Sequence, residues 1–416
     1  MKKAGVLSVA VAPLVSRAAE DPAAIQPVPV SSATAPDRRV TWIELFFDLV
    51  FVAAVAQVGG PLATHYSFPE FGRYAFLLVV IWWAWHGYAV YATRFDLDDR
   101  VERGATLLQM LAVVFMAANA EEGLDSVSSA GFAVAYAAMR IILVLRYLRA
   151  ARRPGARRLA VEYAAGFGAA AAVWLLSSAT PVPWRYALWA TALSVDVGTA
   201  VVAARHTVSM PPHAAHLPER FGLFTLILLG EAIVAVMKGI QGQPEWSWPA
   251  AASAVSGVAL VCAIWWAYFE GTNAAGHRHV RCREDSRRFT AWTYAHLPLY
   301  LGLALAGIGV ERAVVAGGWQ AVRGEEARLM ALAVVLVGGA LGVLGGVAVG
   351  RVPATAPVPE ETLGERARRP WTPSTRPRSG VPAGSAHHHG AGGSPAGLRH
   401  RAYAPQVPRA HRRCAM

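Results

Sequence analysis

Thr41-Trp42-Ile43-Glu44-Leu45-Phe46-Phe47-Asp48-Leu49-Val50-Phe51-Val52 decides how this chain is read: nine apolar or aromatic positions surround two carboxylates. A carboxylate inside a membrane-spanning helix costs a few kcal/mol by insertion scales, so such residues are rare and mark a function or a pairing. A second stretch has the same character, Glu219-Arg220-Phe221-Gly222-Leu223-Phe224 running on to Leu229-Gly230-Glu231. Each is followed by a tryptophan pair, in Ile81-Trp82-Trp83-Ala84-Trp85 and in Ile264-Trp265-Trp266-Ala267-Tyr268.

The rest of the chain is built to the same pattern. Of its 416 residues 55% are hydrophobic and only 16% charged, against about 25% charged in an average soluble domain. Apolar runs of the length that crosses a hydrocarbon core, roughly 17 to 25 residues, recur along it. They predict ten spans near 43–62, 73–92, 105–120, 130–148, 160–178, 185–204, 219–238, 250–269, 290–310 and 329–350. The expected fold class is all-α, a polytopic transmembrane helical bundle.

Alternate loops differ sharply in basic residues. One set carries Arg38, Arg39, Arg94, Arg100, Arg103, Arg149, Arg152, Arg153, Arg157, Arg158, Arg205, Arg220, Arg278, Arg281, Arg283, Arg287 and Arg288. The other has only Arg73, Arg185, Lys238, Arg312, Arg323 and Arg328, and its loop with Glu121, Glu122 and Asp125 has no base. By the positive-inside rule both termini are expected in the cytoplasm. The net charge of +12 is not a nucleic-acid footprint, because residues 351–416 hold eleven Arg against three Glu, a net of +8. The partners expected are the bilayer and, at the basic loops, anionic lipid headgroups. Cys262, Cys282 and Cys414 have neither disulfide nor metal spacing, and no cofactor or metal is expected.

Two terminal stretches fall outside the bundle. Residues 1–39 read as a disordered cytoplasmic leader; Met1-Lys2-Lys3 with a short apolar run ending near Ser16-Arg17-Ala18-Ala19 loosely resembles a cleavable signal, but Pro13 breaks the run. Residues 351–416 hold ten Pro, clustered Arg and His387-His388-His389, a composition that reads as a disordered basic tail. It is also what a GC-rich gene yields when read out of frame.

The two charged stretches are separated by six spans, so both begin on the same side. A parallel duplication about an axis along the membrane normal follows, with a first repeat over 40–210 and a second over 211–350. The second has four spans to the first's six, so two are expected to be lost in the tail. Over about residues 38–350 these motifs resemble the bacterial low temperature requirement protein A family. The resemblance implies an integral, multi-spanning inner-membrane protein of a family named for a growth phenotype in the cold, whose biochemical activity is not established.

Glu44 and Asp48 lie four residues apart, on one helix face. Two carboxylates so close do not readily both ionise in a low dielectric, and such a pair can bind a cation or hold a proton. The competing reading has Glu44 capping its helix or pairing with Arg38 or Arg39. Glu231 lies about 18 Å into the seventh span, near the bilayer middle, and Gln57 stands at the matching depth of the first copy. Gly230 beside it allows close helix approach. The competing reading pairs Glu231 with Arg140, mid-span in the fourth helix. His86, Asp196 and His296 are also at depth, with Glu270 nearer an end, and His296 precedes Pro298. A His suits a proton relay; a lone membrane His is as readily a packing residue. The tryptophan pairs read as packing or interfacial anchors, and Asp96-Leu97-Asp98-Asp99-Arg100 as a solvated turn lacking the glycine and terminal Glu of a calcium loop.

Two functions remain open. The first is a proton- or cation-linked transporter with Glu44, Asp48 and Glu231 as carboxylate ligands for a small ion or small-molecule substrate, Arg140 as counter-charge and His296 as relay, the motif completed by Glu219, Arg220 and Gly230. The alternative is a non-transporting membrane protein supporting cold or stress physiology, its charges structural ion pairs. A third, weaker option is an intramembrane enzyme acting on lipid with Glu and His as acid and base, but an enzyme is not expected: no nucleophile or metal constellation, phosphate-binding loop, zinc-protease motif or nucleophile elbow occurs.

Overall fold

The computed structural model describes residues 40–349, apart from 96–98, 121–123, 125–127, 154, 207–209, 244, 246, 273–277, 279 and 281. The leader, the tail, the Asp96–Asp98 turn and the Glu121, Glu122, Asp125 loop therefore lie outside the described residues. The elements are helices throughout: α1 (Trp42–Val58), α2 (Gly60–Thr64), α3 (Phe68–Arg94), α4 (Arg100–Ala118), α5 (Ser128–Ala150), α6 (Arg157–Ser178), α7 (Trp184–Ala203), α8 (His216–Gln241), α9 (Trp248–Trp266), α10 (Arg283–Val315) and α11 (Glu325–Val349). Among the described residues, nine helices are long and apolar enough to cross a membrane. The remaining expected span, 43–62, is divided into α1 and α2 at Gly59-Gly60-Pro61, where Pro61 supplies no backbone donor. At 17 residues α1 is at the lower limit for a crossing.

The polytopic all-α bundle expected from the apolar runs is what forms. α10 departs most from its expected bounds, because the polar turns of Arg283 to Arg288 continue the helix before the apolar run begins. The two most enclosed helices are α3 and α10, with 78% and 67% of their apolar stretch buried, against 22% for α7 and for α11. α3 and α10 are thus central and the others wrap them. α4 turns Leu107, Leu108, Leu111, Val114 and Phe115 outward, an apolar face suited to a bilayer environment.

The loops gather at two ends, as the alternation of charge requires. At the basic end, Arg94 donates to the Tyr163 hydroxyl (3.1 Å), Arg205 to Glu162 (2.6 Å), Arg149 pairs with Asp99, and the Arg278 amide donates to the Ala214 carbonyl (2.7 Å). At the opposite end the Phe68 amide donates to Glu325 (2.7 Å), Arg312 pairs with Glu326 (2.7 Å) and Arg185 donates to Ser129 (2.6 Å).

The two tryptophan pairs differ in setting. Trp82 and Trp83 pack inside the bundle, whereas Trp265 and Trp266 near the end of α9 are exposed.

Candidate functional site

The two charged stretches meet. α1 and α8 lie side by side, and the i, i+4 acids of one face i, i+4 basic residues of the other. Glu44 opposes His216, Nε2 to Oε2 at 3.2 Å, and Asp48 opposes Arg220, whose Nε donates to Oδ2 at 3.2 Å while its Nη2 bonds Oδ1. Trp85 of α3 adds a third donor to Asp48, Nε1 to Oδ1 at 2.7 Å. Asp48 and Arg220 are fully buried, and the guanidinium sits 4.9 Å over the Tyr88 ring, a contact strengthened where water is excluded.

Glu44 does the capping that its position allows: the amide and hydroxyl of Thr41 both donate to it, each at 2.9 Å. Thr93 lies 3.3 Å from the other ring nitrogen of His216. The Thr93 hydroxyl already donates to the Ala89 carbonyl (2.6 Å), so it can accept from His216. Glu219 accepts from the Val40 amide (3.3 Å).

Glu44 and Asp48, expected to act as one proton- or cation-holding pair, each meet a different side chain of α8. Each carboxylate thus has its own basic partner across the helix contact, His216 for Glu44 and Arg220 for Asp48. Sequence reasoning did not single out His216, although it precedes Arg220 by the four residues that separate Glu44 from Asp48.

Arg140 pairs with Asp196, not Glu231. Its Nε and Nη2 each lie 3.1 Å from Asp196 Oδ2, and the Tyr136 hydroxyl donates to the same oxygen (2.9 Å). Both charges are fully buried, between α5 and α7. Gly87 on α3 makes room for them, since a Cβ there would come within 2.6 Å of Arg140 Nη1. As counter-charge to a shared mid-membrane site Arg140 is therefore already engaged.

His296 is engaged as well. Its Nδ1 contacts the Trp292 carbonyl at 2.8 Å, and since a carbonyl only accepts, that nitrogen carries the hydrogen. Nε2 lies 2.9 Å from the Tyr268 hydroxyl. Both nitrogens have partners within a cluster of Phe221, Trp292 and Tyr300 rings. His86 stacks on Trp82, centroids 5.1 Å apart.

Glu231 stands apart from all of these. It lies eleven residues beyond Arg220 on α8, about 16 Å along the axis at 1.5 Å per residue. It lines a pocket of ≈ 110 Å³ between α1, α3, α8 and α10, together with Lys238, Glu311 and Tyr74. Lys238 Nζ is 3.9 Å from its Oε1, at the outer limit of an ion pair. Asp48 and Glu231 thus occupy two separate clusters, and the joint site expected of them is not formed. Gly230 does not serve close packing either: it faces open space, with nothing within 4 Å of a Cβ placed there. The close approach of α8 to α10 is made at Gly239 instead, whose Cβ would meet the Glu311 carbonyl oxygen at 3.0 Å.

Among the described residues no group of three or more His, Cys, Asp and Glu is gathered as metal ligands would be.

The family of the bacterial low temperature requirement A protein (LtrA) matches residues 39–369, about four-fifths of the chain. The chain belongs to that family. It is also similar to an uncharacterized protein of Rhizobium meliloti (strain 1021), RA0937, 26% identical over 288 residues that cover 65% of this chain and 68% of the relative. No solved structure matches the chain. The family match takes in both charged stretches, so the α1–α8 contact and the Glu231 pocket both lie within LtrA-family sequence.

Proposed function

We propose that this LtrA-family membrane protein is a proton- or cation-linked transporter whose solute binds in the pocket lined by Glu231, Lys238 and Glu311. One observation carries the reading: Glu231 is a carboxylate well inside a membrane-length helix, about one-third exposed, facing a pocket with its nearest ionic partner at 3.9 Å. A carboxylate kept at depth without a close partner is costly unless it serves a ligand or proton. Asp48–Arg220 and Arg140–Asp196 then act as fixed joints between helices.

The test is Glu231→Gln in proteoliposomes loaded with a pH-sensitive dye. The variant is expected to insert normally and to lose solute-dependent proton movement; wild-type flux in it would end this reading. A second reading, a non-transporting protein that supports the membrane in the cold, draws on the close pairing of Glu44, Asp48 and Arg140. It expects growth at low temperature to survive Glu231→Gln and to fail with Arg220→Met.

The basic end is the cytoplasmic one in this proposal, in a bacterial inner membrane, as the loop bases favour. A cysteine placed at Gly155 of a cysteine-free chain should resist a membrane-impermeant thiol reagent in intact cells. The recurrence of the charged motif on α1 and α8 supports descent of the two parts from one parallel repeat.

A further inference from the structure

The Glu231 pocket holds a second kind of group besides its charges. Tyr74 of α3 lines it and is 2% exposed, yet its hydroxyl has no hydrogen-bond partner among the described residues. Buried hydroxyls left unpaired are few in folded proteins, and each calls for an explanation. Around it are two acids, Glu231 and Glu311, and one base, Lys238. The neighbouring Arg312 is bound to Glu326 at 2.7 Å. The acids thus outnumber the cation that shares their pocket.

Such a set fits a ligand with two unlike ends. An ammonium group would sit with Glu231 and Glu311, while Tyr74 and Lys238, both donors, would meet an acceptor. The volume keeps the ligand small, since ≈ 110 Å³ is below the about 300 Å³ at which drug-sized ligands begin to fit. We propose that the pocket binds a small zwitterionic amino compound, an amino acid-like solute with its ammonium toward Glu231 and Glu311 and its acceptor end toward Tyr74 and Lys238. This deepens the transport reading and rests on the same pocket being a binding site.

The experiment measures binding to the full chain in detergent by calorimetry and by the shift of its thermal midpoint, so that transport is not needed. The probes are β-alanine, ethylamine and propionate, which carry both ends, the cationic end and the anionic end. β-Alanine is expected to bind at least about tenfold more tightly than either half. Tyr74→Phe should weaken β-alanine by about five- to tenfold, the worth of one hydrogen bond. The same variant should leave the ligand-free midpoint unchanged or higher, because it removes an unpaired buried hydroxyl. Lys238→Met should weaken β-alanine and propionate and spare ethylamine.

No binding of β-alanine at about 10 mM, equal binding of all three probes, or an unaltered β-alanine affinity in Tyr74→Phe would each overturn the inference. A ligand-free Tyr74→Phe that melts well below wild type would also overturn it, since the hydroxyl would then be structural. Binding as expected without β-alanine entry into proteoliposomes would support this ligand class and remove the transport reading. Solute-driven proton flux without β-alanine binding would do the reverse.

Discussion

Toward the basic end of the α1–α8 contact, Asp48 is enclosed by Arg220, Trp85 and aromatic rings with no access to solvent. About 16 Å further along α8, Glu231 borders a pocket and keeps its nearest cation at 3.9 Å. The two acids are alike in residue class, and both lie within apolar sequence. The difference teaches that an acid at depth is not by itself a site. What matters is whether its charge is already spoken for: the Asp48 carboxylate accepts three hydrogen bonds, whereas Glu231 has room for an incoming group.

The comparison breaks most readily at Arg220. Arg220→Met should lower stability by about 3–5 kcal/mol, because Asp48 is left buried and unpaired. Thermal and denaturant unfolding in detergent would measure it. Adding Asp48→Leu should recover part of the loss, since removing both charges can be near neutral. If the double variant is as unstable as the two single changes summed, the pair is not a coupled unit and the contrast with Glu231 fails.

Next in size is the second enclosed pair. Arg140→Met should cost a similar or slightly smaller amount, as Asp196 retains the Tyr136 hydroxyl as a donor. Restoration by Asp196→Asn, read in the same unfolding assay, would mark this pair as a joint of the same kind as Asp48–Arg220.

Glu231→Gln sharpens the contrast from the other side. Its ion pair is long and partly exposed, so stability should change by no more than about 0.5 kcal/mol. A loss of several kcal/mol would mean that Glu231 is structural after all.

The smallest effect is expected outside the membrane. Asp99 caps α4 by accepting from the Glu102 amide (3.0 Å), and its hydrogen bond from Arg149 holds its carboxyl below the usual value. A lowered folded-state pKa contributes stability that is present above the unfolded pKa, about 3.9, and is lost as pH falls through the folded value. Asp99→Asn keeps a capping side chain and should flatten the fall of the thermal midpoint between about pH 5 and pH 3. With the side chain 44% exposed, solvent keeps this slope shallow. An unchanged slope would remove Asp99 as its source.

Much of the fold could be read from the residues alone, because long apolar runs can cross a hydrocarbon core only as helices and the loop bases alternate with them. The break in the span expected over 43–62 was missed, although Gly59-Gly60-Pro61 is a poor helix interior. The site was legible only in fragments. Glu44, Asp48, Arg220 and Glu231 stand out as charges in apolar stretches. Their partners do not follow from spacing along one helix, because pairing is set by how different helices pack. His216 was within reach, through the spacing it shares with Glu44 and Asp48. Asp196 as the partner of Arg140 was not, since nothing local links α5 to α7. The pocket was least visible, because Tyr74, Lys238 and Glu311 sit on three helices and each resembles an ordinary residue near a span's end.

The rungs between α1 and α8 have one register, for Glu44 to His216 and Asp48 to Arg220 are separated by the same 172 positions. Sliding either helix by one turn, about 5.4 Å, would leave one acid and one base stranded without a mate. Shear between these two helices is thereby locked out, while tilting them together costs nothing in pairing. Any gating movement that widens the Glu231 cavity must then carry α1 and α8 as a single strut, with the hinge falling to their neighbours.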